Sequence, residues 1–119
     1  MSVSLSMALW ERVSGRRAWQ PTADVYETVG RVSLTIELPG VSPDEVQVRL
    51  ADNAVVIEGN RRMPELDAGG IFHTAEIQRG PFRLEVTLPA RVRAETVSVR
   101  GELGLVFISL TKVDASHGH

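Results

Sequence analysis

The sequence predicts an all-β fold, an immunoglobulin-like β-sandwich of about seven to nine strands. Two observations carry this prediction. Apolar and polar residues alternate over 31–38, 46–50 and 82–88, which is the two-residue period of strands that bury one face. The two halves of the chain also repeat one order of features, a strand, a Leu-Pro pair, a polar loop and a second strand, which favours two packed antiparallel sheets.

The first half shows how each strand is bounded. The alternation over 31–38 stops at Pro39-Gly40, because proline cannot donate to a ladder and glycine accepts the backbone angles of a turn. Asp52-Asn53 is a turn signal between two further apolar segments. The predicted strands, in order, are 24–27, 31–38, 46–50, 54–58, 74–78, 82–88, 96–100 and 105–108.

Two segments depart from simple alternation. Residues 105–108 are apolar on both faces, which predicts a strand covered on two sides. Residues 59–70 are polar and glycine-rich, which predicts a long loop, and loops of this length inside a compact domain are usually functional. An apolar island, Ile71-Phe72-His73, follows that loop and is too short to form a core strand alone.

The two termini differ from the alternating part. Residues 1–20 contain both tryptophans, and Leu5, Leu9 and Val13 recur every four residues, as on one face of a short helix over 5–13. Such a short helix is marginal in water unless it docks on another surface. We therefore divide the chain into an N-terminal arm, 1–20, a β domain, 21–112, and a short polar tail, 113–119.

The composition narrows the classes of function. The 119 residues fit one domain, and the absence of cysteine excludes disulfides, thiolate metal sites and a cysteine nucleophile. A net charge of −2 argues against a dedicated nucleic-acid binder. No apolar run is long enough to span a membrane, and no basic residue precedes the first apolar positions as in a signal peptide. We expect a cytoplasmic protein with neither nucleic-acid nor membrane partners.

The sequence also lacks the common catalytic motifs. Lys112 is the only lysine and follows threonine, so the chain has no Gly-Lys-Ser/Thr phosphate loop. There is no Gly-x-Ser-x-Gly nucleophile elbow. His117 and His119 have a spacing that binds transition metals only loosely. We predict no catalytic residue, cofactor or metal site, and hence a binding or structural protein rather than an enzyme.

Residues 19–112 carry several spaced motifs, among them Glu37-Leu38-Pro39-Gly40-Val41, Gly59-Asn60-Arg61 and Gly104-Leu105-Val106. Together these motifs resemble the α-crystallin domain of the small heat-shock protein family, in its bacterial type. Glu37-Leu38-Pro39-Gly40-Val41 resembles the family's signature turn, and Gly59-Asn60-Arg61 its Gly-x-Arg strand end. The remaining matches are Trp19, Pro21, Asp24, Tyr26 and Glu27 at the entry, then Glu76, Gly80, Phe82, Leu88-Pro89, and Gly104-Leu105-Val106.

This resemblance implies an ATP-independent holdase, a chaperone that binds partly unfolded client proteins and prevents their aggregation. It also implies a homodimer, or a small oligomer, made by strand exchange. Ile71, Phe72 and His73 would form the exchanged strand and would pair with the partner's edge strand, formed by Asp24, Val25, Tyr26 and Glu27.

Client binding needs apolar side chains that the fold leaves uncovered. The first candidates are residues of the flexible arm: Leu5, Met7, Leu9, Trp10 and Trp19. The second candidate is a groove between the strands at 46–50 and 82–88, lined by Val48, Leu50, Leu84 and Val86. Core packing is the alternative for these four residues, and the sequence favours it.

The chain departs from the family pattern at three points. The tail lacks the Ile-x-Ile/Val motif that docks in a neighbour's groove, which predicts a dimer or small assembly rather than a large shell. The family's arginine two residues after the Gly-x-Phe phenylalanine is replaced by Leu84, so its salt bridge cannot be carried over. The N-terminal arm is also short.

Two other functions remain open from the sequence. A p23-like co-chaperone or adaptor is a related sandwich that binds a folded partner, and the long loop and Leu-Pro-Gly turn favour the holdase over it. A small sandwich enzyme or carbohydrate binder is disfavoured by the low aromatic content of 5% and the lack of an acid–base pair.

Overall fold

The computed structural model describes residues 18–113 as two antiparallel sheets packed face to face. The described part contains seven strands and two short 3-10 helices, at Pro43–Glu45 and Ala94–Thr96. The strands are β1 (Ala23–Glu27), β2 (Arg31–Glu37), β3 (Gln47–Ala51), β4 (Ala54–Arg61), β5 (Gly80–Thr87), β6 (Ser98–Glu102) and β7 (Leu105–Thr111). The predicted all-β sandwich is confirmed.

The two sheets have unequal widths. One has four strands in the order β1-β2-β7-β6, and the other has three in the order β3-β4-β5. The predicted repeat is also present, because a Leu-Pro pair follows both β2 and β5, and each pair leads through a 3-10 helix to the next strand. Gly40 has φ +85° after the first pair, a conformation that side chains with a Cβ rarely adopt.

The core forms where the inward faces of the two sheets meet. Strand β2 shows the alternation most clearly, because its three apolar residues are fully buried while its polar residues face outward. Full burial of one such side chain contributes about 1.5–3 kcal/mol. The core residues with 0–1% exposure are Val32, Leu34, Ile36, Leu38, Val55, Ile57, Phe82, Val106, Ile108 and Leu110.

Three predicted elements are wrong in detail. Residues 74–78 are not a strand, and β4 continues to Arg61, so the long loop spans 62–79. The apolar segment 105–108 is covered on one side only. Val106 and Ile108 are buried, whereas Phe107 is half-buried on the outer face with the Arg100 guanidinium 4.2 Å from its ring centroid. A cation over an aromatic face accounts for an apolar residue at that position.

Candidate functional site

The loop 62–79 presents apolar side chains to solvent. Ile71 is 78% exposed and Phe72 is 54% exposed, although both belong to residue types that folding normally buries. Met63 and Phe72 border an open cavity of about 270 Å³. The predicted exchange strand, Ile71-Phe72-His73, thus lies exposed and belongs to neither sheet of its own chain.

Strand β1 is an open edge of the wider sheet. It pairs with β2 on one side, and within residues 18–113 no strand pairs with its other side. Val25 lies opposite the buried Leu34 and so belongs to the inward face, yet it is 45% exposed. We attribute this exposure to the narrower facing sheet, which has no fourth strand to cover β1. Lys112 forms an ion pair with Glu27 at the end of this edge.

The predicted groove between 46–50 and 82–88 is wrong in its geometry. Strand β4 lies between β3 and β5 and pairs with both, so β3 and β5 do not border a common groove. The four side chains share the inward face of this sheet, as the core-packing alternative expected. Leu84 is a core residue, and the other three are partly buried against the core: Val48, Leu50 and Val86.

Strands β3 and β6 are edge strands of the two sheets, and β6 approaches the 3-10 helix just before β3. A Cβ on Gly101 of β6 would lie 2.9 Å from the Cγ of Pro43, which belongs to the 3-10 helix just before β3. Val99 of β6 lies opposite the buried Ile108 and is still 37% exposed. The apolar residues at these two edges that stay partly exposed are Val48, Leu50, Val97 and Val99. The sequence predicted β6 as a strand over 96–100, but not its position near β3, because alternation does not show which edge strands meet across two sheets.

Trp19 is part of the folded domain rather than of a free arm. Its backbone N–H donates to Pro81 O (3.1 Å), and its carbonyl accepts from the N–H of Arg83 (2.9 Å). The indole Nε1–H donates to Gly80 O (3.1 Å), and the ring lies 5.5 Å from that of Phe82. The other four arm candidates, Leu5, Met7, Leu9 and Trp10, lie outside the described residues, as does the predicted helix over 5–13.

Arg61 lies at the root of the long loop, and its role was not predicted. Its Nε and Nη2 atoms both donate to Gln78 O, at 2.9 and 2.5 Å, and Nη1 donates to Pro39 O at 3.4 Å. The guanidinium carbon is 4.3 Å from the centroid of a Trp19 ring. Burial, with a smaller contribution from the charge of Arg79, lowers the pKa of Arg61 from its usual value.

Glu58 is the buried charged residue of the described domain, at 1% exposure. It lies on the outer face of the narrower sheet, where Arg49 approaches one carboxylate oxygen at 3.1 Å and Arg83 the other at 3.7 Å. The two arginine side chains are about 40% exposed and cover the carboxylate. Leu84 occupies the position at which the family commonly has arginine. The arginine next to it, Arg83, lies on the opposite face of β5 and pairs with Glu58.

Residues 18–113 were also compared with the requirements of a metal site and of a membrane-spanning helix. No three His, Cys, Asp or Glu side chains among them lie close enough together to hold a metal ion. His117 and His119 lie outside the described residues. The same range holds no helix of the length and apolarity needed to cross a membrane.

The fold and its exposed surfaces define a protein-interaction module, a complete β-sandwich with an apolar loop and open sheet edges. The profile of the Hsp20/alpha crystallin family matches residues 24–118. The chain belongs to this family, and the resemblance drawn from its motifs is confirmed. Membership supports a chaperone role.

Named relatives agree with this assignment. The chain is 32% identical to heat shock protein 16 of Schizosaccharomyces pombe over 117 residues, which cover 96% of this chain and 80% of the relative. It is 26% identical to small heat shock protein C2 of Rickettsia felis over 92 residues, 77% of this chain, and spans only 60% of that relative's length. The solved structure of heat shock protein 16.0 from S. pombe superposes with a TM-score of 0.71 at 30% identity, covering 79% of this chain and 87% of that one.

Proposed function

We propose that this protein is an ATP-independent holdase that binds partly unfolded proteins and prevents their aggregation. The observation that carries the proposal is apolar surface left over after the core is complete. The inward-facing residues at the centre of the sandwich are almost fully buried, while Val25 and Val99 on its edge strands and Ile71 and Phe72 in the long loop remain exposed. Contiguous exposed apolar surface on a soluble domain usually marks an interaction site.

Two surfaces are proposed to hold clients. The first is the arm, through Leu5, Met7, Leu9 and Trp10, because a flexible apolar segment adapts to varied partners. The second is the surface formed by the partly exposed apolar residues of the β3 and β6 edges, Val48, Leu50, Val97 and Val99. An unfolding protein exposes apolar segments, and their transfer onto such a surface is favourable in proportion to the area removed from water. Neither surface needs a nucleotide.

We also propose that two copies of the chain exchange residues 71–73 onto each other's β1. The open side of β1 has backbone groups that no strand pairs with in the described residues, and Val25 beside them is half-exposed. An added strand would form hydrogen bonds with these backbone groups and could cover Val25. Nine residues lie between Arg61 and Ile71, and an extended chain spans roughly 3.3 Å per residue, so this part of the loop can reach roughly 33 Å from the end of β4. We propose a homodimer, or a small oligomer, as the assembly that this exchange produces. We place the protein in the cytoplasm.

The holdase proposal is tested with a heated model enzyme whose aggregation is followed by light scattering. We expect suppression near equimolar ratio, equal with and without ATP, and weakened by removal of residues 1–18, which leaves Trp19 in place. Unchanged aggregation would overturn the holdase. Binding only to a folded partner would favour the p23-like alternative instead, and full retention of suppression without the arm would refute the arm as a client site.

The exchange is tested by deleting residues 63–73 and measuring mass by analytical ultracentrifugation. This deletion keeps Arg61, Gln78 and the sandwich, so the variant should remain folded and become monomeric. An unchanged dimer would show that the subunits associate through another surface.

A further inference from the structure

Arg61 joins the two ends of the long loop. It is the last residue of β4, where the loop departs, and its guanidinium binds the carbonyl of Gln78, where the loop returns to β5. The same guanidinium binds the carbonyl of Pro39 in the turn after β2. Arg61 therefore holds the loop's return point against a rigid turn of the sandwich, with charge-assisted hydrogen bonds that are stronger than neutral ones.

The planar face of Arg61 has a further contact. It stacks on Trp19, near the C-terminal end of the arm, which is itself hydrogen-bonded to Gly80 and Pro81 at the start of β5. Trp19 and the return end of the loop consequently lie side by side, and the Arg61 side chain contacts both. Lysine has neither the planar face nor the forked set of donors that this arrangement uses.

We propose that Arg61 is the positioning residue of the exchange loop and that it couples the loop to the N-terminal arm through Trp19. The inference rests on the strand exchange proposed above. Arg61 sets where the loop begins its path toward a second copy, so its loss lets the return end of the loop move. Displacement of Trp19, for example when a client binds the arm and moves it, removes the ring on which Arg61 stacks. The return end of the loop, held by Arg61 at Gln78, is then held less firmly. By linkage, client binding at the arm and exchange of the loop then affect each other.

The first test is cleavage of the full chain by a glutamate-specific protease. Glu76 lies two residues before Gln78, and Glu65, the fourth residue of the loop, serves as an internal reference at the other end. Arg61→Gln should raise the cleavage rate at Glu76 relative to that at Glu65 by about tenfold, the fold-change expected for losing a charge-assisted hydrogen bond. Arg62→Gln is the matched control, because it removes the same charge from a neighbouring side chain. Arg62 is 77% exposed and forms an ion pair with Glu45 at 3.5 Å, outside the loop.

Arg61→Lys separates positioning from charge. If charge alone mattered, lysine would restore the wild-type ratio of cleavage; we expect it to restore little of it. Equal cleavage of Arg61→Gln and Arg62→Gln would overturn the positioning role. This readout does not depend on dimer formation, so it decides the inference even if the wild type is monomeric.

Ultracentrifugation separates this inference from the proposal it rests on. A wild type that stays monomeric refutes the exchange. A dimeric wild type whose affinity falls about tenfold in Arg61→Gln, and not in Arg62→Gln, supports both. Dimers of equal affinity in the two variants refute the effect of Arg61 on exchange while the exchange itself stands.

The link to the arm is tested with two variants of Trp19. Trp19→Leu removes the face under Arg61 and should raise cleavage at Glu76, and combining it with Arg61→Gln should add little further. Trp19→Phe keeps an aromatic face and should leave cleavage nearer the wild-type rate, which shows that the sandwich tolerates replacement at this position. Wild-type cleavage in Trp19→Leu would refute the coupling.

Discussion

The double substitution Ile71→Ser with Phe72→Ser tests the exchange without shortening the chain. Both side chains are exposed in the single chain and neither is part of its core, so the free energy of unfolding of the sandwich should change little. In the proposed dimer they cover the partner's β1 edge, where Val25 is 45% exposed in the single chain. The substitution should therefore weaken the dimer and spare the fold.

The expected magnitude follows from the exposed fractions. Full burial of a large apolar side chain contributes about 1.5–3 kcal/mol. Ile71 has 78% of its surface available for burial and Phe72 has 54%, so together they contribute about 2–4 kcal/mol when fully covered. Each dimer contains two exchanged strands, so the loss doubles to about 4–8 kcal/mol and the dimer dissociation constant should rise by about 700-fold or more.

Sedimentation velocity over a concentration series measures that constant, and thermal denaturation followed by circular dichroism checks the fold. Met63→Ser with Leu66→Ser is the matched control, because both residues are exposed apolar positions of the same loop outside the exchanged strand. We expect the control to dimerise as the wild type does. A dissociation constant for Ile71→Ser with Phe72→Ser within threefold of the control would refute the exchange at these residues.

Three further substitutions test the sandwich itself by urea denaturation. Gly59→Ala should lower the free energy of unfolding by about 1–3 kcal/mol, because its Cβ would lie 2.4 Å from the Cζ of the buried Phe82; an unchanged midpoint would mean that the ring moves aside at no cost. Glu58→Gln should also cost about 1–3 kcal/mol, toward the lower value because the arginines above it are partly hydrated; a gain in stability would show that burial of the charge outweighs its pairing. Leu103→Gly should raise stability by about 0.5–1 kcal/mol, because Leu103 has φ +54° and is 93% exposed, and a loss would show a contact that the single chain lacks.

The sandwich could be predicted from the sequence because its information is local. The alternation in β2 and β5 follows from burial of one face of each strand, and the Leu-Pro pairs end strands through proline's missing donor. The prediction of a strand at 74–78 was wrong because a local pattern does not show whether a pairing strand is present. Among the described residues, no strand lies beside 74–78 to pair with it.

The candidate site was less predictable because it depends on which elements meet in space. Trp19 could be assigned to the arm from composition alone, whereas its place is fixed by hydrogen bonds to residues more than sixty positions away. The same holds for Arg61, whose partners come from the loop's far end and from the turn after β2. The groove was assigned to the wrong strand pair because alternation gives the face of a residue but not the order of strands in a sheet.

The arginine-covered carboxylate on the outer face of the narrower sheet has a consequence for warm conditions. The cost of keeping charged groups away from water falls as temperature rises, whereas the contribution of apolar burial levels off. Glu58 and its two arginines therefore become a less costly feature of this sheet on heating. The relative contribution of these ion pairs to the β3-β4-β5 layer should therefore grow as the temperature rises.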